Sequence, residues 1–171
     1  MALPRKLKQL NMFSDGENWV GMAEEFVPAK LTRKFEAYRG GGMPGAANVD
    51  MGLDDAALDV EFTLGGYEAQ LVRQMAAARA DGVMLRFAGS YQRDDSGEIS
   101  SVEIVCRGRY KELDRGTQKA GDNSQSKVSM TCTYYKEVSD GETLVEIDTI
   151  NMIEIVNGED RMAEHRKNIG L

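Results

Sequence analysis

Residues 31–69 read LTRKFEAYRGGGMPGAANVDMGLDDAALDVEFTLGGYEA, and their second half contains the pattern that decides the fold. Between Ala57 and Leu64, apolar and polar residues alternate, which predicts a strand with one dry face and one wet, acidic face. Two glycines, Gly65 and Gly66, follow and end the strand. The dry face would carry Leu58, Val60, Phe62 and Leu64, and the wet face Asp59, Glu61 and Thr63.

A glycine-rich loop lies upstream of this strand. An extended, charged segment from Leu31 to Arg39 leads into three consecutive glycines, followed by Pro44 and Gly45. Such a loop has too few side chains to offset its ordering entropy within its own subunit, so we expect another chain to pack against it. The candidate contact residues are Tyr38, Arg39, Gly40, Gly41, Gly42, Met43 and Pro44. We expect this loop, and the polar loop Asp114–Ser126, to be mobile in free subunits and ordered on assembly.

Bulk composition excludes several classes of protein. The chain has 171 residues, 42% hydrophobic and 29% charged, which is typical of one domain, residues 1–171, that can bury a core. A net charge of −7 argues against general affinity for nucleic acid or anionic membranes. No apolar run reaches the length of a membrane span, and the N-terminus lacks the features of a signal peptide. These observations predict a protein made in a cytoplasm.

The rest of the chain is predicted to be mostly strands. Asp15-Gly16 is typical of a tight hairpin turn, and a second, longer hairpin is expected around Ser139-Asp140-Gly141. Tyr67–Ala80 is the one segment with a convincing helical pattern. On a later strand, Ser101 and Glu103 form a second wet face. The fold class is therefore mainly β, a β-sandwich or partly open barrel with one α-helix. The other extended segments are Phe26–Tyr38, Ala47–Met51, Met84–Arg93, Ile99–Tyr110, Val128–Val138 and Thr143–Ile155, and a short C-terminal helix is expected within Glu159–Asn168.

Motifs that would carry chemistry are weak. Gly40, Gly42 and Gly45 satisfy G-x-G-x-x-G, but no helix follows to receive a pyrophosphate. His165, the only histidine, lies among charges near a helix end, where a capping role is expected. We therefore predict no enzyme activity, no cofactor and no catalytic or metal-binding residue. Two further sets are interpreted as structural: the solvated acids Asp50, Asp54, Asp55 and Asp59, which lack calcium-loop spacing, and the buried free thiols Cys106 and Cys132.

Three stretches carry a resemblance to a known family. LPRKLKQLNMF (3–13), PAKLTRKFEAYRGGGM (28–43) with the MGLDD run after it, and VEIDTINMIEIVNGEDRMAEHRKNIGL (145–171) resemble the major tail tube protein of contractile-tailed phages. They are also similar to the tube protein of R-type pyocins. The resemblance implies homohexameric rings in which six subunits close into a continuous β-barrel, stacked into a tube in the virion tail. It implies as partners the tail sheath, tape measure and baseplate proteins, with no membrane, and DNA that passes without specific binding.

Two alternatives remain open at this point. The same tube could belong to a bacteriocin or contractile injection machine that carries no genome. The chain could also be a monomeric β-barrel that binds a small ligand, although such a barrel keeps an apolar interior. In a DNA-conducting tube, we expect a hydrophilic, net acidic lumen, because a basic wall would bind DNA. The lumen candidates are Asp59, Glu61 and Thr63, followed by Ser101 and Glu103, with a merely solubilising role as the alternative for each.

Overall fold

The computed structural model describes residues 1–171 and consists mainly of β-strands. Twelve strands and two short helices occur in the order β1–β6, α1, β7–β12, α2. The strands are β1 Lys6–Ser14, β2 Glu17–Asn18, β3 Ala23–Val27, β4 Arg33–Tyr38, β5 Ala47–Leu53, β6 Val60–Leu64, β7 Val83–Gln92, β8 Ile99–Asp114, β9 Ser126–Ser139, β10 Glu142–Asp148, β11 Ile153–Val156 and β12 Glu159–Asp160. The helices are α1 Ala69–Arg73 and α2 Ala163–Asn168.

Ten strands form one sheet; eight of them follow the order β12-β11-β10-β9-β8-β7-β1-β2, and β6 lies off this path, paired with β9 and with β3. The long strands β8 and β9 change partners along their length. The first half of β8 pairs with β7 and ends that pairing at Gly108, while β9 pairs with β10 at one end and with β6 at the other. Register shifts in β8 at Arg107/Gly108 and Tyr110/Glu112 accompany this change. Because bulges bend a strand and increase its twist, the sheet can fold over on itself here.

Gly108 is required at the bend. A Cβ atom built on Gly108 would lie 1.9 Å from the backbone oxygen of Thr131 on β9. No side chain can be accommodated at that distance, so the two strands approach as closely as they do only because glycine occupies this position.

The core lies between the folded halves of the sheet and is closed by aromatic pairs. Phe62 on β6 is stacked 5.8 Å from Trp19 and lies 5.9 Å from Tyr110 between ring centroids. Phe26 on β3 stacks on Phe87 of β7 at 4.6 Å. The contacts of Phe26 with Phe87 and of Phe62 with Trp19 join β3 and β6 to the opposite half of the sheet. The prediction that the residues at 58, 60, 62 and 64 face inward is confirmed, since all four are buried.

The two predicted hairpin turns are confirmed, at Asp15-Gly16 and at Asp140-Gly141. Asp15 and Gly16 have φ angles of 43° and 90°, and Asp140 and Gly141 have 48° and 82°. Both central residues thus lie in the left-handed region, as a type I′ turn requires. Each turn joins adjacent antiparallel strands, β1 to β2 and β9 to β10.

The predicted helix Tyr67–Ala80 is wrong in length, because only Ala69–Arg73 is helical. Gln74 caps the helix, and its side-chain amide donates hydrogen bonds to Ser14 Oγ at 3.0 Å and Asp15 Oδ2 at 2.7 Å. It also accepts one from the Tyr110 hydroxyl at 2.7 Å. These tertiary bonds favour a chain reversal over further helix, and Ala76 follows with φ of 56°. The chain contains a second helix, α2, at its C-terminal end, within the segment predicted for it.

Three predicted strands differ from the observed ones. Phe26–Tyr38 is divided into β3 and β4 by a break at which Leu31 has φ of 52°. Thr143–Ile155 is divided into β10 and β11 by a turn in which Asp148 Oδ1 accepts the backbone N–H groups of residues 150 and 151. The strand predicted over Ala57–Leu64 begins only at Val60, because residues 54–57 form a turn. No helix has the length and apolar character needed to cross a membrane.

Candidate assembly surfaces

Four strand segments lie side by side at the folded end of the large sheet. In order, they are β3, β6, the first half of β9 (residues 126–131) and the second half of β8 (residues 109–114). We call this unit the panel. Its two outer strands each have a strand partner on one side only, since β3 pairs with β6 alone and β7 stops pairing with β8 at Gly108. The panel therefore has two free edges, each about five or six residues long.

The free edges of the panel are complementary in direction. All pairings within the panel are antiparallel, so β3 and the end of β8 run in opposite directions. A second copy related by rotation would bring its β3 beside the β8 of the first copy in antiparallel orientation. This would continue the hydrogen-bond pattern of an antiparallel sheet across the two copies.

The outward face of the panel is polar and predominantly acidic. Its side chains line one shallow depression, which includes Glu61, Ser129 and Lys127. Five carboxylates on or beside this face are accompanied by three basic side chains; the acids are Glu25, Asp59, Glu61, Glu112 and Asp114, and the bases are Arg109, Lys111 and Lys127. The opposite face of the same strands is apolar and buried, and it carries Val60, Phe62, Leu64, Tyr110, Val128 and Met130.

The first three lumen candidates lie on or beside this face. Glu61 is exposed and lies opposite Val27 and Ser129 in the pairing register. Asp59 precedes β6 and forms an ion pair with Lys111 Nζ at 2.9 Å, which raises the pKa of Lys111. Thr63 shares this face, as its place in the alternation predicts, but it is only 5% exposed in the subunit. Its cross-strand neighbours are Glu25 and Lys127, between which it lies in the register.

Ser101 and Glu103 lie elsewhere, on the outward face of the β7–β8 part of the sheet. Glu103 accepts a hydrogen bond from Arg86 at 2.9 Å, and the Arg86 guanidinium lies 4.9 Å from the centre of the Phe13 ring. Ser101 is opposite Ser90 in the register. The alternation of the sequence identifies outward-facing positions correctly here, but the structure does not bring these two residues together with Glu61.

The strands β4 and β5 form a separate two-stranded hairpin, which we call the arm (residues 33–53). Nearly all of its side chains are exposed, including Tyr38 at 63%. Its tip contains all the predicted loop residues from Arg39 to Pro44. The tip is held by its own chain through three local contacts. The Met43 backbone N–H donates to the Gly40 carbonyl at 3.3 Å, the Gly40 N–H is directed to Met43 Sδ at 3.1 Å, and Arg39 Nη2 donates to the Pro44 carbonyl at 3.5 Å.

The base of the arm is fixed to the body by Arg33. Its guanidinium donates to Asp50 Oδ2 on β5 at 2.5 Å and to Glu154 on β11. The hydrogen bond to Asp50 raises the pKa of Arg33, and the same bond lowers the pKa of Asp50 below its ordinary range. Arg33, Asp50, Glu154 and His165 line one cavity between the arm and the C-terminal segment. Arg33 thus links the arm to residues 121 positions away in the chain.

The sequence motifs that could have indicated catalysis or ligand binding have structural roles instead. Gly40, Gly42 and Gly45 lie at a hairpin tip between two strands, where no helix N-terminus is available for phosphate. Asp50 and Asp59 are engaged by different cations, Arg33 and Lys111. The prediction of buried free thiols is confirmed for both cysteines, and contact with Cys106 together with burial raises the pKa of Cys132. No group of three or more His, Cys, Asp or Glu side chains is arranged to hold a metal.

Comparison with known proteins agrees with this picture of a structural protein. A family model described as phage tail tube protein FII matches residues 4–170. The chain belongs to this family. It is therefore a structural protein of a phage tail tube, located in the virion tail.

Two curated relatives agree with the family, and one solved structure is similar in fold. The chain is 55% identical over 172 residues to the tail tube protein of Escherichia phage P2, with full coverage of both proteins. It is 38% identical over 153 residues to the major tail tube protein of Serratia phage KSP20, covering 90% of this chain and 88% of that one. A chain in the six-fold symmetrised cryo-EM structure of the anti-feeding prophage baseplate is similar in fold, with a TM-score of 0.51 at 8% identity, over 75% of this chain and 90% of that one.

Proposed function

We propose that this tail tube protein acts as a single domain, forms hexameric rings and stacks them into the inner tube of a contractile tail that conducts DNA on ejection. The observation that carries the proposal is the panel with its two free, antiparallel edges. A head-to-tail contact between unlike edges makes a ring when the rotation closes, and closure removes both edges from solvent. The family resemblance gives six subunits per ring. The directions of the edge strands support a contact between copies related by a rotation.

The panel also supplies the wall of the channel in this proposal. When four-stranded panels join edge to edge, one face of the resulting barrel points inward and the other packs on the subunit cores. The buried apolar face must be the outer one, so the polar face with Glu61 lines the channel, with Asp59 beside it. Ser101 and Glu103 lie on the outward face of the other half of the sheet, and we therefore assign them to a surface outside the channel.

An acidic wall suits a conduit for DNA. Duplex DNA carries about one charge per 1.7 Å, and lysine or arginine at the wall would bind it by releasing counterions. Carboxylates repel it over about 8 Å at physiological salt, which keeps the DNA hydrated and free to move without specific binding. The function is structural and not enzymatic in this proposal, and the partners are further copies of the chain, the sheath, the tape measure and the baseplate.

Electron microscopy of the purified protein tests the proposal directly. We expect negatively stained rings or tubes, and native mass spectrometry of the rings should give six copies of the 18.9 kDa chain. A protein that stays monomeric at all concentrations, with or without preformed tail components as nuclei, would contradict it and would favour the ligand-binding barrel. Both curated relatives are phage proteins, which favours a genome-carrying tail over a bacteriocin tube.

A further inference from the structure

The turn between β11 and β12 contains the one Asn-Gly pair of the chain. Of the seven asparagines, Asn157 alone precedes a glycine, Gly158. The two residues have φ angles of 52° and 79°, so both lie in the left-handed region, and they join Val156 to Glu159 in a two-residue hairpin. Both are exposed to solvent. The proposed tube gives neither residue a role.

The two groups of this turn that could react with each other are free of other contacts. The side-chain amide of Asn157 forms no hydrogen bond, and the backbone N–H of Gly158 has no acceptor. The side chains of the three Asp-Gly pairs are, in contrast, each engaged as hydrogen-bond acceptors; they are Asp15, Asp81 and Asp140. The turn at Asn157 therefore differs from the other turns of its kind in the availability of its side chain.

An asparagine followed by glycine can cyclise without an enzyme. Hydroxide removes the proton of the Gly158 backbone N–H, and the nitrogen attacks the Cγ carbonyl carbon of Asn157. The bond from Cγ to the side-chain nitrogen breaks, and ammonia leaves with a proton taken from water. Water then opens the five-membered succinimide at one of its two carbonyls, which gives aspartate or isoaspartate. Glycine favours the attack because it has no Cβ atom to obstruct the approach of its nitrogen.

The turn has to open for this attack, and the structure makes local opening easy. β12 has two residues and lies at the end of the sheet, where it pairs with β11 alone. One backbone hydrogen bond continues the pairing beyond it, from the Arg161 N–H to the Glu154 carbonyl at 2.8 Å. A segment held by so few backbone hydrogen bonds opens far more often than the whole subunit unfolds.

We infer that Asn157 is a site of spontaneous deamidation, and that its isoaspartate product detaches the C-terminal segment (residues 159–171) from β11. Isoaspartate places one additional methylene group in the backbone. The connection from Val156 to Glu159 then no longer has the two residues with positive φ that a type I′ turn requires. The register of β12 is lost as a result.

The C-terminal helix depends on this turn for its position. None of the side chains of α2 is buried, so no core contact fixes the helix. Its contacts are polar: Arg166 Nη1 donates to the Met152 carbonyl at 2.6 Å, and Arg166 Nη2 donates to Asp160 of β12 at 2.6 Å. When β12 leaves β11, Asp160 no longer holds Arg166 beside Met152, and the helix is released with it.

Peptide mapping of the purified chain, aged in mildly alkaline buffer, tests the assignment of the site. Asn123 is the matched control, because it is also exposed but precedes Ser124. Mass spectrometry should find the succinimide and acid forms at Asn157 at a rate at least about tenfold higher than at Asn123, since serine has the Cβ atom that glycine lacks. Isoaspartate methyltransferase with a labelled methyl donor should label the aged wild type and not aged Asn157→Gln.

Two outcomes would overturn the assignment. One is equal conversion at Asn157 and Asn123. The other is an Asn157 that stays intact in the folded chain while the urea-unfolded chain converts it, because the turn would then hold the amide out of reach of the Gly158 nitrogen.

Amide hydrogen exchange of the separated isoaspartate form tests the structural consequence. Asn157→Asp is the matched control, because it adds the same charge with a normal backbone. Exchange in residues 159–168 should be at least several-fold faster in the isoaspartate form and close to wild type in Asn157→Asp, with β6 unchanged in both. Wild-type exchange in the isoaspartate form would overturn the proposed release of the segment. Equal acceleration in Asn157→Asp would overturn its cause, since charge rather than the additional methylene group would be responsible.

Discussion

The panel and the arm are both made of antiparallel strands, yet they are stabilised in different ways. In the panel, alternate side chains enter a core closed by Trp19, Phe62 and Tyr110, so the subunit itself determines its conformation. In the arm, both faces are exposed, and the links to the body lie at its base, where Arg33 is ion-paired with Glu154 and Leu53 packs against the core. The panel thus stabilises the folded subunit and also offers edges for assembly. The arm contributes little to the stability of the subunit, and we expect it to contribute mainly to assembly.

Replacing Phe62 by Ala should give the largest effect, because it removes a side chain that is 1% exposed and contacts two other aromatic rings. We expect a loss of about 3–5 kcal/mol in the free energy of unfolding, a large fraction of the stability of a typical domain. Urea unfolding followed by Trp19 fluorescence measures it. A loss below about 1 kcal/mol would show that the core relaxes around the cavity and that the panel is less dependent on its packing than we argue.

Replacing Phe35 by Ala is the matched change in the arm. The free energy of unfolding of the subunit should change by less than about 0.5 kcal/mol, because an exposed side chain is removed. Tube formation should be strongly reduced, with tubes shorter or absent at concentrations where the wild type assembles, as electron microscopy and sedimentation would show. The comparison between panel and arm fails if Phe35→Ala destabilises the subunit as Phe62→Ala does, or if tubes form normally.

Local sequence rules identified the regions whose conformation is decided locally. The alternation around Val60 and the two Asp-Gly turns were sufficient for the strand and the hairpins, since burial of one face and positive φ angles are local requirements. The helix was overestimated because Gln74 is bound by Ser14, Asp15 and Tyr110, which are distant in the chain.

The panel itself was not predicted, although its central strand was. Its edges depend on where β8 changes partners, and Gly108 in an otherwise regular strand was a signal of that bend. Alternation shows that Glu61 and Glu103 both face outward, but two outward faces of a folded sheet are indistinguishable in sequence. The arm tip was predicted from its glycines; which partner covers it depends on contacts outside the chain.

Replacing Arg33 by Ala tests whether its ion pairs hold the arm on the body. The variant loses the links to Asp50 and Glu154, so amide hydrogen exchange in β4 and β5 should become several-fold faster, while exchange in β6 stays unchanged. Lys34→Ala is the matched control, since Lys34 is exposed and forms no ion pair in the subunit. Equal exchange in both variants would show that the ion pairs do not hold the arm.

The ion pair between Arg33 and Asp50 predicts that the stability of the arm depends on pH. Arg33 lowers the pKa of Asp50 below its ordinary value of 3.8, so the carboxylate stabilises the arm at any pH above that value. The contribution is lost as pH falls through the lower pKa of the folded state. Arm exchange, corrected for the intrinsic effect of pH, should therefore be constant from pH 7 to about 4 and rise below it. In Arg33→Ala this extra rise should disappear, and its persistence would assign the acid sensitivity to other carboxyls.

The smallest structural change should come from Glu61→Lys in the panel, and its effect should be confined to the passage of DNA. Glu61 is exposed and forms no ion pair, so both the stability of the subunit and the number of tubes should remain as in the wild type. Adding Asp59→Lys would also remove the ion pair with Lys111, so the single variant is the cleaner first test, and the double variant should show the stronger effect. Lysine repeated around each ring would attract DNA where glutamate repels it. Even ~1 kcal/mol per lysine–phosphate contact would sum to a large binding free energy along the tube.

Virions assembled with the variant should therefore release DNA more slowly, and raising the salt concentration should restore the rate, because screening weakens the new contacts. Release is followed by the fluorescence of a DNA-binding dye after triggering. Glu142→Lys is the matched control, since Glu142 is exposed on β10, outside the panel. Normal release from intact Glu61→Lys tails would show that the polar face of the panel does not line the channel. Slow release from the control as well would mean that the overall charge of the tube, rather than its wall, governs passage.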